Sequence, residues 1–156
     1  SKVSVSNDDV RLYYKRNKGE FTRVLDEVRI EQYIVKSKKI ADRLIASFNS
    51  KKNIDLSKFD IELVRTETVQ RGTFAKNIDD MLFVKRIEVV GPVVLGKDIS
   101  VLRVLNINKQ GSIKGLNDVY DEIYQRIFKI KSIRVQESLL DSLKKTVNIS
   151  INPKYQ

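Results

Sequence analysis

The feature that most constrains the fold is a run of alternating apolar residues at positions 99–107. At the two-residue period of an extended chain, four apolar side chains share one face: Ile99, Val101, Leu105 and Ile107. Leu102 and Val104 lie on the opposite face, which is typical of a strand whose middle is covered on both sides. The run therefore predicts a strand within a sheet that packs against other layers.

Two further segments favour strands of the same sheet. Phe59, Ile61 and Leu63 alternate with acidic residues, as in a half-buried strand, and a second strand is predicted over 82–90. A brief apolar segment at 93–95 lies between turn signals rich in Gly and Pro. This order predicts an antiparallel meander.

The segment between the first two predicted strands, 66–80, is long for a hairpin loop. It either extends both strands as a ribbon or exposes Arg71, Phe74 and Lys76, an arrangement suited to base stacking. Of these alternatives for Phe74, we favour packing back onto the sheet.

Helical spacing of apolar residues flanks the strand region. One long helix or two consecutive helices are predicted over about 20–49, an amphipathic helix over 116–130 and a second one over 135–147. The alternation at 147–151 predicts a terminal strand. We therefore predict an α+β fold with one antiparallel sheet of three to five strands, covered by a long N-terminal helix and two C-terminal helices.

The chain has 156 residues and contains neither Cys nor His. Its length suits a single domain, 1–156, with possible extended arms at 1–12 and 148–156. Without Cys and His, disulfides, thiol nucleophiles, histidine bases and nearly all structural zinc sites are excluded. The acidic residues of the middle region lack the order that a metal-dependent nuclease requires, so we predict no metal, no cofactor and no enzymatic activity.

The net charge of +10 is unevenly distributed. Residues 11–52 carry twelve Lys and Arg against five Asp and Glu, and residues 101–156 carry ten against five. Because such surfaces attract phosphate backbones, we predict a non-enzymatic, nucleic-acid-associated binding protein. The predicted contacts, mostly on a basic helical face, are Arg11, Lys15, Arg16, Lys36, Lys38, Lys39, Arg43, Arg71, Lys76, Lys109, Lys114, Lys129, Lys131 and Arg134.

Two local features leave alternatives open. The segment KQGSIKG at 109–115 lacks the spacing of a P-loop, so a plain turn between strand and helix is favoured over a phosphate site. Tyr13 and Tyr14, within the basic stretch RLYYKRNK, either stack on unpaired bases or anchor the N-terminal segment.

An alternative function is a structural or assembly subunit of a larger complex, such as a phage particle or a secretion apparatus. The polar, strand-prone ends SKVSVSN and VNISINPKYQ are suited to pairing with neighbouring subunits. No apolar run is long enough to cross a bilayer. We therefore expect a protein of the cytoplasm or of a virion, with nucleic acid or further subunits as its partners.

Overall fold

The structure is a computed structural model that describes residues 2–151. The described chain forms two compact units. Unit 1 combines the segment up to Thr22 with the segment from Ile113 onward, and unit 2 comprises Arg23–Ser112. The prediction of one domain stays a prediction.

Unit 2 is built on one antiparallel sheet of four strands in the order β2-β1-β4-β3. The strands are β1 (Glu27–Val35), β2 (Ile61–Gln70), β3 (Val89–Leu95) and β4 (Asp98–Asn108). In the centre of the sheet Ile30 pairs with Glu67 of β2 on one side and with Val104 of β4 on the other. The two central strands carry most of the buried side chains, whereas β2 is an exposed edge.

Both faces of this sheet are covered, and the alternation of β1 separates the two apolar clusters. Val28 and Ile30 face a cluster that includes Leu82 and Phe83, which belong to a π-helical turn (Asp80–Val84) directly after the short α3 (Lys76–Asp79). Tyr33 and Val35 face the other cluster, formed with α2 (Lys38–Asn49). The unit is therefore a sheet between two helical layers.

Two polar groups are buried within this apolar sheet. The Nε2 of Gln32 donates to the Oγ of Ser100 at 2.9 Å, and only 7% of Gln32 and none of Ser100 is exposed. On the opposite face the hydroxyl of Tyr33 donates to Glu31 at 2.7 Å. Burial, followed by this carboxylate, raises the pKa of Tyr33 to about 12 because both disfavour the phenolate.

The predicted N-terminal helix over 20–49 is wrong. Residues 27–35 form β1, and within that range only Lys38–Asn49 is α-helical. Val28 and Ile30 alternate with two polar residues, but this alternation ends at the continuous apolar run 33–35. This run is buried on both faces and fits a helical stripe as well as a strand. The predicted strand over 82–90 is also wrong at its start, where the π-helical turn lies. Phe74 packs against the sheet cluster, as favoured from the sequence.

Unit 1 consists of α1 (Asn7–Arg16), a 3₁₀ turn (Lys18–Phe21) and α4 (Leu116–Ile151). The start of α1 is fixed by a capping box, in which the Ser6 hydroxyl accepts from the Asp9 N–H and the Asp9 carboxylate accepts from the Ser6 N–H. An antiparallel bridge joins Thr22 to Ile113 where the chain leaves and re-enters this unit.

The prediction of two C-terminal helices followed by a strand is wrong. Residues 116–151 form the single helix α4, and the predicted terminal strand at 147–151 is its last turn. No Gly or Pro interrupts the stretch between the two predicted helices, so the backbone has no local reason to break. Residues 152–156 of the predicted arm lie outside the described residues.

Candidate interaction surface

Unit 1 is held together by a small aromatic and aliphatic core. Val10 of α1 and Ile123 of α4 are fully buried, and Phe21 is 3% exposed beside them. The ring of Tyr14 stacks on Phe21 with centroids 5.9 Å apart. Its hydroxyl donates to the carbonyl of Lys114 at 2.8 Å. Of the alternatives for this tyrosine, the structure thus favours anchoring of the N-terminal segment.

Charged side chains reinforce the contact between α1 and α4. The Nζ of Lys131 lies 2.8 Å from Asp9 Oδ2 and 2.9 Å from the Ser4 carbonyl. The hydrogen bond from Lys131, followed by that from the Ser6 backbone, lowers the pKa of Asp9 to about 2. Asp9 therefore stays ionised at neutral pH and is matched by Lys131.

The buried face of α4 changes direction along the helix. Apolar residues that pack in unit 1 extend from Leu116 to Ile127. Beyond Arg134 the corresponding face carries polar residues, among them Glu137 and Asp141. With 3.6 residues per turn, the apolar side chains of the C-terminal half point about half a turn away from Ile123. Each half of α4 is thus amphipathic, but the apolar faces of the two halves point in opposite directions.

We use the name apolar stripe for seven side chains between residues 128 and 147, on the face of α4 that points away from Ile123. Each leaves between 37% and 60% of its surface exposed, although all are large and apolar. At 1.5 Å per residue the stripe extends for about 30 Å. Its members are Phe128, Ile133, Val135, Leu139, Leu140, Leu143 and Val147.

The cations predicted to contact nucleic acid do not form one helical face. Lys36 follows β1 and lies 3.6 Å from Asp60. Lys38 and Lys39 open α2, and Arg43 is placed over the ring of Phe59 at 5.5 Å. A single basic helix over 20–49, on which the prediction rested, is therefore absent from the described chain.

The full set of predicted cations is divided between the two units. Several of its members are paired with carboxylates, including Arg11 with Asp8 at 3.9 Å and Arg71 with Asp26 at 4.0 Å. Contact of any single cation with phosphate stays a prediction. Unit 1 holds Arg11, Lys15, Arg16, Lys114, Lys129, Lys131 and Arg134, and unit 2 holds Lys36, Lys38, Lys39, Arg43, Arg71, Lys76 and Lys109.

The turn at 109–115 has its backbone donors occupied within the protein. The N–H of Gln110 donates to Asp26 Oδ1 at 2.7 Å, and the N–H of Gly111 donates to the Arg23 carbonyl at 2.8 Å. The N–H of Ser112 donates to the Lys109 carbonyl at 3.1 Å. These N–H groups are therefore not available to a phosphate, and the negative charge of Asp26 would repel one. Both observations support a plain turn between strand and helix.

The described residues contain neither a cluster of metal ligands nor a helix that could cross a membrane. No group of three or more acidic side chains in residues 2–151 is arranged to hold a metal ion. In the same part of the chain, none of the helices combines the length and apolar content that crossing a membrane requires.

No protein-family model and no curated protein matches this sequence. A solved chain that matches belongs to work describing the virulence factor PEB4 and the periplasmic protein Cj1289 as two structurally related SurA-like chaperones of Campylobacter jejuni. The match covers 90% of this chain and 63% of that chain, with 18% identity and a TM-score of 0.36.

The function predicted from the sequence is corrected in both of its forms. The basic helix predicted over 20–49 does not form in the described chain, because β1 (Glu27–Val35) lies within that segment. The assembly alternative relied on strand-forming ends, but residues 2–6 form no strand and residues 147–151 are helical.

Proposed function

We propose that this protein binds other polypeptides non-covalently, and that the apolar stripe of α4 is the surface that receives them. The observation that carries the proposal is the exposure of seven large apolar side chains on one helical face. Monomeric soluble proteins rarely leave a contiguous apolar surface of this kind uncovered unless it receives a partner.

The chemistry around the stripe favours a polypeptide over a lipid surface. Helices that lie on membranes carry mainly Lys and Arg on their polar face. The polar side of this stretch instead mixes Glu137 and Asp141 with Lys144 and Lys145. Mixed charges of this type suit the varied polar groups of a protein chain.

The shape of the stripe favours an extended segment. It lies on one convex helix and is about 30 Å long, which an extended chain covers with about nine residues. Alternating side chains of such a segment would contact Leu139, Leu143 and their neighbours, while its other side stays in water. Binding would gain free energy from the apolar area that both partners remove from water.

The test is binding to a permanently unfolded polypeptide. Reduced and carboxamidomethylated lactalbumin, labelled with fluorescein, is titrated with the protein, and native lactalbumin serves as the control. We expect saturable binding of the unfolded form that persists at about 0.5 M salt, where exposed charges are screened. Binding that disappears with salt, or equal binding of native lactalbumin, would contradict the proposal.

A second copy of the chain is the competing occupant of the stripe. Light scattering across protein concentration distinguishes the two, because self-association through the stripe would raise the mass and reduce binding of the unfolded polypeptide. We expect the mass of the monomer at the concentrations used for binding.

A further inference from the structure

A groove lies between α1 and α4 within unit 1. Its volume is 270 Å³, and its apolar wall is formed by Leu12, Ile127 and Ile130. Leu12 and Ile130 are both more than 40% exposed, so the apolar wall is open to a ligand. A space of this size accommodates one or two large apolar side chains rather than a whole small molecule.

The rim of this groove is basic, and two of its cations are unused. Lys131 is already matched by Asp9 at 2.8 Å. Arg16 and Arg134 also line the groove, and their guanidinium groups make no ion pair or hydrogen bond with any residue in the described part of the chain. Each guanidinium presents several donors in the planar arrangement that matches a carboxylate.

Arg134 connects the groove to the stripe. Together with Ser138 and Ser142 it lines a shallow depression that continues to Val135 and Leu139. A segment that lies on the stripe would therefore reach Arg134 before it enters the groove.

We propose that the groove selects polypeptide segments in which an acidic residue neighbours a large apolar side chain. The apolar side chain enters between Leu12 and Ile130, and its neighbouring carboxylate is held by Arg16 and Arg134. This inference rests on the proposed function and adds the chemical class of the segment that is bound.

The test uses two labelled peptides of about ten residues, the length that spans the stripe when extended. In one peptide Leu and Phe are interleaved with Asp, and in the other each Asp is replaced by the isosteric Asn. We expect the Asp peptide to bind about tenfold more tightly, equivalent to about 1.4 kcal/mol, which two exposed charge pairs can supply.

The double variant Arg16→Gln, Arg134→Gln should reduce this preference to less than about twofold while leaving the affinity for the Asn peptide unchanged. Lys51→Gln, Lys52→Gln is the matched control, because it removes the same net charge from unit 2. Arg16→Lys, Arg134→Lys keeps the charge but not the paired donors, and should retain part of the preference.

The outcomes separate this inference from the proposed function. Equal affinity for the two peptides, or a preference that survives in the Arg variant, would overturn the selection by the groove and leave binding by the stripe intact. A failure of unfolded lactalbumin to bind would overturn the proposed function itself. Loss of the preference in the Lys51 and Lys52 control would also overturn the groove, because net charge would then explain the effect.

Discussion

Replacing Leu139 and Leu143 together by Gln should weaken polypeptide binding without destabilising the protein. The two side chains are 60% and 55% exposed in the free protein. Burying a whole Leu side chain contributes about 1.5–3 kcal/mol, so covering the exposed half of each contributes about 1–1.5 kcal/mol. The pair should therefore cost about 2–3 kcal/mol of binding, or about 30-fold to 150-fold in Kd.

Gln is chosen because its helix propensity is close to that of Leu, so α4 should remain intact. Fluorescence anisotropy with unfolded lactalbumin gives Kd, and circular dichroism gives the helix content and Tm. The control is Leu56→Gln, Leu105→Gln, two exposed leucines of unit 2. A loss of less than about threefold, or an equal loss in the control, would refute binding by the stripe.

Three further predictions concern the scaffold. Ser100→Ala removes the acceptor of buried Gln32 and should lower the free energy of unfolding, measured in urea, by about 1–3 kcal/mol. The double variant Ser100→Ala, Gln32→Leu should recover most of this loss, because no unpaired polar group is then left buried. A double variant as unstable as Ser100→Ala alone would contradict this. Gly91→Ala should lower the free energy of unfolding by about 1–3 kcal/mol, because φ is +152° and a Cβ would lie 3.1 Å from the Ser100 carbonyl. Gly19→Ala is the control, because the space around Gly19 is open, and it should change the free energy of unfolding by less than about 0.5 kcal/mol. Similar losses in the two variants would argue against strain at Gly91. The pKa of Tyr33 is raised from 10.0 to about 12 in the folded protein, so the stability that its protonated hydroxyl contributes is complete below pH 10.0 and is lost as the pH rises through about 12. Tyr33→Phe should therefore remove the component of the tyrosine absorbance titration near pH 12. An unchanged titration would contradict this.

The sequence predicted β4 because apolar residues alternate along most of this strand and occupy both faces only in its middle. Ile99 and Val101 lie in one cluster, and Leu102 and Val104 lie in the other, as the alternation required. β1 was not predicted, because its second half does not alternate between apolar and polar residues. Tyr33, Ile34 and Val35 are all buried, and a continuous apolar run satisfies a helical stripe as well as a strand.

The helices show which local signals were missed. The capping box of Ser6 and Asp9 is visible in the sequence and marks the start of α1. The division of α4 into two predicted helices arose because its apolar face changes direction after Ile127. A change of face indicates a change of partner, not a break in the backbone, and α4 continues through it.

The candidate surface was only partly accessible from the sequence. The spacing of Val135, Leu139 and Leu143 was recognised as helical, but this helix was expected to cover the sheet. Exposure of these residues depends on where α1 and the rest of unit 1 end, which no local pattern encodes. The pairing of Lys131 with Asp9, which leaves Arg16 and Arg134 available, is equally a product of tertiary structure.

The most direct test of the account is hydrogen exchange of the protein with and without unfolded lactalbumin, resolved by mass spectrometry at the level of peptides. An unsupported helical end exchanges quickly, and a bound polypeptide should shield and stabilise it. We predict slower exchange in residues 132–147 when the unfolded chain is bound, with little change in the sheet of unit 2. Protection confined to unit 2, or no protection of 132–147 under saturating conditions, would contradict the proposal that α4 receives polypeptides.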